Sequence, residues 1–172
     1  MIADERLFDS REDLASALAG DVANALAECV RAKQSACLAV SGGATPRLFF
    51  EVLSRMDAPW DKISVTLVDE RQVPETSPRS NARLVRENLL QDRAAQAEFK
   101  AISAETRIDV AVLGMGADGH TASFFPGGDN LVKALDPGGQ QRITTMSAPG
   151  AGEPRLTFTL PALLEASLLC LH

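Results

Sequence analysis

Apolar residues recur every four positions from Leu14 through Leu18, Val22 and Leu26 to Val30. That spacing gathers them on one stripe of a helix, and it predicts a helix over residues 10–34. Ser10 can cap it, with Asp13 at the N3 position in a variant of the capping box. The pattern then shortens. Ala36–Val40 is apolar throughout, and Ile63–Val68 and Ile108–Leu113 are further short, mainly apolar runs. Such runs suit strands buried on both faces of a sheet. Ile143–Met146, Leu156–Leu160 and Leu168–Leu171 complete the strand candidates. Pro46 suits the first turn of a helix reaching about Met56. Ser80 or Asn81 can cap a helix from Ala82 to Leu90, and Pro161 can start one through Ala166. Residues 72–79, with Pro74 and Pro78, read as a loop. Residues 128–141, rich in Gly, Asp, Pro and Gln, read as a surface connection around a short helix. Strands alternating with helices predict one α/β domain with a largely parallel sheet.

The bulk numbers narrow the function classes. The chain has 172 residues, enough for one domain with a substantial core. Its 45% apolar and 23% charged residues are those of an ordinary soluble domain. A net charge of −6 argues against nucleic acid as a partner, since nonspecific binding needs a surplus of Lys and Arg on one face. A local pocket can still be positive on an acidic protein, so an anionic small molecule stays open. Cys29, Cys37 and Cys170 form no CxxC and no Cys/His cluster. Neither a disulfide framework nor a zinc site is expected, and free thiols fit a cytoplasmic location. No basic segment followed by an apolar run opens the chain, and no apolar stretch is long enough for a membrane span.

In a parallel sheet the loops after the strands cluster at one edge, where ligands bind. Three such loops carry the chemistry. Ser41-Gly-Gly-Ala-Thr-Pro46 offers successive backbone N–H groups ahead of a helix N-terminus, a ready anion site. It lacks the lysine of a phosphate-binding Walker loop, and by itself it is equally a tight strand-to-helix turn. Asp69-Glu-Arg71 ends the second strand candidate. Its arginine suits bidentate phosphate contacts, although alone the tripeptide is as readily a surface ion pair. The third loop runs Gly114-Met-Gly-Ala-Asp-Gly-His120. Glycines allow close approach of backbone to a ligand, and an imidazole exchanges protons near neutrality. The same stretch satisfies GxGxxG. It follows the third strand candidate, however, and no acidic residue lies in a second βα unit about 20 positions on, as a dinucleotide site requires. The chain's other histidine, His172, is its last residue, so a two-histidine metal site has no support.

Taken together, the three loops resemble the 6-phosphogluconolactonase family. That family carries an SGGSTP-like turn, a DER-type strand end and a GMGxDGHTASLFPG-type signature. Here they read Ser41 to Pro46, Asp69 to Arg71, and Gly114-Met-Gly-Ala-Asp-Gly-His-Thr-Ala-Ser-Phe-Phe-Pro-Gly127. Asn81–Leu89 and Glu153–Leu160 are also similar. The related glucosamine-6-phosphate deaminases share the glycine turn, but their signature runs GHIAFNEP and their strand end is DEY. Family members have a longer segment where Phe99 to Arg107 stands. They also continue past the strand beginning at Leu168, with a lysine that helps hold the phosphate. The resemblance therefore implies a single sugar-phosphate lactonase domain, incomplete at its C-terminus.

The resemblance implies a three-layer, Rossmann-like fold with helices flanking the sheet. It implies hydrolysis of 6-phospho-D-glucono-1,5-lactone, a small-molecule sugar-phosphate lactone, in the second step of the oxidative pentose phosphate pathway. No cofactor and no metal are expected, because an ester-like carbonyl is already reactive. His120 would be the general base, and Asp118 would orient it or the water. Gly42, Gly43 and Thr45 would hold phosphate or ring hydroxyls. Arg71 would bind phosphate, with Arg155 as a second candidate, and Asp69 would meet sugar hydroxyls. A deaminase/isomerase on amino sugar phosphates and a non-catalytic sugar-phosphate-binding domain are the alternatives.

Overall fold

A computed structural model describes residues 4–43 and 45–172. The first helix, α1, spans Arg11–Lys33. Ser10 sits just outside it with extended backbone, and its hydroxyl oxygen accepts the Asp13 N–H at 3.0 Å. The helix stops at Gln34, whose backbone is left-handed and whose N–H returns to the Val30 carbonyl. The buried face begins with Ala15 and Ala19 and continues through Val22, Leu26 and Val30, whereas Leu14 and Leu18 are only partly buried. The reason is geometric. An α-helix has 3.6 residues per turn, so a four-residue spacing drifts by about 40° at each repeat.

The strands are β1 (Ala36–Val40), β2 (Ile63–Leu67), β3 (Asp69–Arg71), β4 (Glu98–Phe99), β5 (Val110–Leu113), β6 (Ile143–Met146), β7 (Arg155–Phe158) and β8 (Leu168–Leu171). The remaining helices are α2 (Arg47–Arg55), α3 (Asn81–Asn88), α4 (Leu131–Leu135) and α5 (Leu160–Leu163). Five strands form a parallel sheet in the order β4-β2-β1-β5-β8. Three form an antiparallel sheet in the order β3-β7-β6.

The parallel sheet is buried on both faces. From β1, Leu38 and Val40 pack against α1, α2 and α3 with Leu26, Phe49 and Val85, while Ala39 joins the opposite core. From β5, Val110 and Val112 face the helices, and Ala111 and Leu113 face Met146, Phe158 and Leu163. The three layers are thus the long helices, the parallel sheet, and the antiparallel sheet with the short α4 and α5. No helix among the described residues is long and apolar enough to cross a membrane.

Two departures from the expected pattern bear on the site. Asp69 to Arg71 do not merely close the second strand. Val68 gives its N–H to Val40 in the parallel sheet and its carbonyl to Phe158 N–H in the antiparallel one. The chain changes sheets at that residue, which makes β3 a strand of its own. The edge strand β4 was not expected, because two residues with a glutamate among them carry no apolar run.

Candidate active site

The glycine turn, the β3 tripeptide and the histidine loop meet at the C-terminal edge of the parallel sheet, tied together by side chains. The Ser41 N–H donates to the Val112 carbonyl, and the Ser41 hydroxyl accepts the Gly114 N–H at 3.1 Å. This fixes the start of the histidine loop against the glycine turn. A Cβ at Gly42 would lie 1.9 Å from Asn81 Oδ1, so only glycine fits there. Gly43 has φ of +104°, a conformation that side-chain-bearing residues rarely adopt. Thr45 is exposed just ahead of α2. Helix α2 has no side-chain cap and no acidic residue in its first turn, leaving its N-terminal amides available to an anion.

In β3 the three side chains take different tasks. Asp69 is 5% exposed and turned inward. Its carboxylate accepts the Ser123 hydroxyl at 2.6 Å and lies 3.7 Å from Arg155 Nη1. Burial pushes this carboxyl above its usual range, opposed by the Ser123 hydrogen bond and the Arg155 and Arg71 charges. The side chain expected to meet sugar hydroxyls is therefore engaged beneath the surface. Glu70 caps α3, accepting the Asn81 and Ala82 N–H groups at 2.9 and 2.8 Å and the Ser80 hydroxyl at 3.1 Å. Asn81 reaches back, donating from Nδ2 to the Asp69 carbonyl at 2.9 Å, which joins the glycine turn to β3.

Arg71 stands directly opposite Arg155 in the β3–β7 register. Like charges at paired positions repel across a sheet, and the surroundings relieve this only partly. Arg71 donates to the Arg79 carbonyl at 2.6 Å, while its buried Nε has no partner. Arg155 is 7% exposed and donates to the Ala151 and Glu153 carbonyls. Burial and then the Arg71 charge pull its pKa down, against Asp69 and Glu153. Arg71, Arg79 and Arg155 are thus gathered with Asp69, Glu70 and Glu153, and the Arg71 side chain forms no ion pair among the described residues.

The histidine loop is a small closed ring. Met115 bridges Thr121, the Gly116 N–H donates to the His120 carbonyl, and the Gly119 N–H donates to Gly116. A Cβ at Gly116 would lie 2.3 Å from His120 Cε1, so the imidazole occupies the space a side chain would fill. His120 Nδ1 is 2.5 Å from Asp118 Oδ1. That hydrogen bond holds the Asp118 carboxyl below its usual range. An ionised carboxylate only accepts, so Nδ1 carries the proton and a neutral imidazole keeps its lone pair on Nε2. The imidazole is 26% exposed and stacks on Phe125, with ring centroids 4.1 Å apart. Ala122 then takes φ of +50°, a costly backbone conformation for alanine. It is followed by Ser123, the residue that ties the loop to Asp69.

The structure thus brings Gly42, Gly43, Asp69, Arg71, Asp118, His120 and Arg155 to one edge. Sequence reasoning gave Asn81 only a candidate capping role and assigned no site role to Ser41, Ser123 or Phe125. All four sit within the recognised motifs, but their neighbours are distant in the chain and no local signal reveals them. His172 lies behind the glycine turn, with its ring 6.1 Å from that of Phe49 and its backbone N–H on Leu113.

Comparison with known proteins shows the family. Residues 9–105 and 92–172 match the family described as Glucosamine-6-phosphate isomerases/6-phosphogluconolactonase. A 6-phosphogluconolactonase of Rhizobium meliloti (strain 1021) is 50% identical over 191 residues, covering 100% of this chain and 82% of the relative. One from Mesorhizobium japonicum is 48% identical, covering 96% of this chain and 77% of the relative. The crystal structure of a 6-phosphogluconolactonase from Shewanella baltica OS155 superposes with a TM-score of 0.92 at 36% identity, covering 100% of this chain and 82% of that one. With the signature loop, the fold and these likenesses in agreement, the chain belongs to the glucosamine-6-phosphate isomerase/6-phosphogluconolactonase family.

Proposed function

We propose that this protein is a 6-phosphogluconolactonase that hydrolyses 6-phospho-D-glucono-1,5-lactone to 6-phospho-D-gluconate with His120 as general base. The observation that carries the assignment of the base is the His120–Asp118 pair, which leaves Nε2 as a proton acceptor. Neutral His120 takes a proton from water as the water oxygen bonds to the lactone carbonyl carbon. The carbonyl becomes a tetrahedral oxyanion, and backbone N–H groups of the glycine-rich loops are suited to hold it. Collapse restores the carbonyl and breaks the bond to the ring oxygen. The imidazolium returns its proton to that oxygen, giving the open-chain acid and regenerating neutral histidine.

Arg71, whose side chain forms no ion pair among the described residues, supplies charge for the substrate phosphate. Gly42, Gly43 and Thr45, together with the α2 amides, take phosphate or ring hydroxyls. Asp69 and Arg155 act beneath them by holding Ser123 and balancing Arg71. The three free cysteines accord with a cytoplasmic enzyme.

The test is hydrolysis followed by oxidation of the 6-phosphogluconate formed, with the spontaneous opening of the lactone subtracted. The expected result is a rate proportional to enzyme above that background, with no ammonia released from glucosamine 6-phosphate. A rate equal to background, or ammonia release, would overturn the reading.

A further inference from the structure

We infer that Phe125 is a positioning residue whose ring sets the plane of the His120 imidazole and so aims Nε2. The inference rests on the reading of His120 as the base. Phe125 is buried at 3% exposure among Ala122, Met146 and Phe158 of the second core. Two groups of the site meet its ring. The His120 imidazole stacks on it at 4.1 Å between centroids and 28° between planes. The Arg155 guanidinium carbon lies 5.3 Å from its centroid, within the range of a cation–π contact. That arginine is itself held by the Ala151 and Glu153 carbonyls. Phe125 is therefore fixed by the core and by a clamped cation, and it offers the surface on which the imidazole lies.

Asp118 alone does not suffice for this. Its side chain is 48% exposed, and one hydrogen bond to Nδ1 leaves the ring free to turn about that contact. A stack limits the plane of the ring, and the hydrogen bond limits its rotation within that plane. Together they fix where the Nε2 lone pair points. Proton transfer from a bound water is steep in such geometry, and displacement of about 1 Å can cost on the order of 10²-fold in rate.

The chain has two histidines, so only two imidazole Cε1–H signals appear in its proton–carbon spectrum, and His120→Ala identifies the one from His120. In the wild-type protein the Phe125 ring current displaces that signal upfield, which reports the stack. Phe125→Leu is expected to remove the displacement and to lower kcat by on the order of 10²-fold with KM unchanged. Phe125→Tyr keeps a ring and is expected to restore both signal and rate. A merely structural phenylalanine would lower the melting temperature and lose the ring-current displacement, but would leave kcat at the wild-type value in the folded variant. An unshifted His120 signal in folded Phe125→Leu, or a wild-type kcat there, overturns the inference. So does a wild-type His120 signal at the position of a free imidazole, an outcome that needs no variant to fold. Loss of the base reading is distinguished by His120→Ala. If that variant turns over normally, His120 is not the base, whereas loss there with normal Phe125→Leu defeats only the role of Phe125.

Discussion

Arg71 and Arg155 are the residues whose placement is hardest to explain without a ligand. Two guanidinium groups occupy paired positions on adjacent strands, one of them buried and one with an orphan Nε. Like charges at such paired positions repel. Arg155 has Asp69 as a close carboxylate, whereas Arg71 has only the Arg79 carbonyl through Nη1. In the proposed function the phosphate contact therefore falls to Arg71. Arg71→Ala is expected chiefly to raise KM for the lactone, by on the order of tenfold or more, given that a charged hydrogen bond is worth about 1.5–3 kcal/mol. Steady-state kinetics over a range of lactone concentrations check this. An unchanged KM removes Arg71 from the phosphate site.

At the level of elements, the site is a junction between the two sheets. Strand β3 leaves the parallel sheet at Val68 and carries Asp69 under the histidine loop, where the Ser123 hydroxyl meets it. Ser123 is wholly buried, and its partner is a buried carboxylate. Ser123→Ala would leave Asp69 with less hydrogen bonding in the interior, at a cost of about 1.5–3 kcal/mol. Chemical denaturation is expected to show a loss of that size, together with a reduced kcat as the histidine loop loosens. Full stability and full kcat in the variant would mean that the link between β3 and the loop carries no weight.

Much of this was legible in the sequence, for physical reasons that differ by element. The stripe from Leu14 to Val30 has a periodicity that only a helix uses, and Ser10 marks its start with its own side chain. Strands β1 and β5 are apolar throughout because both of their faces are buried. The candidate loops stood out because glycines, an arginine and one of the chain's two histidines fall directly after apolar runs, and because the three loops together resemble one family. What stayed hidden depends on contacts distant in sequence. Nothing local shows that Val68 changes sheets, that Asp69 turns inward to Ser123 54 residues away, or that Gly42 is pressed by Asn81. Strand β4 exists only through its pairing with Ser64 and Val65.

The whole molecule can be described as a rigid parallel sheet that presents three loops at one edge, with a second sheet bracing them from below. Its total charge is acidic, and Arg71 and Arg155 are gathered where β3 meets β7 among the carboxylates of Asp69, Glu70 and Glu153. In the proposed mechanism hydrolysis depends on one imidazole, its Nδ1 tied to Asp118 and its Nε2 left to accept a proton. The most direct measurement compares kcat and KM of the wild-type protein and His120→Ala on 6-phosphogluconolactone, with spontaneous opening subtracted. The account predicts kcat lower by roughly 10²–10⁴-fold, the usual contribution of a general base, with KM little changed. A His120→Ala variant that hydrolyses the lactone at the wild-type rate would contradict it.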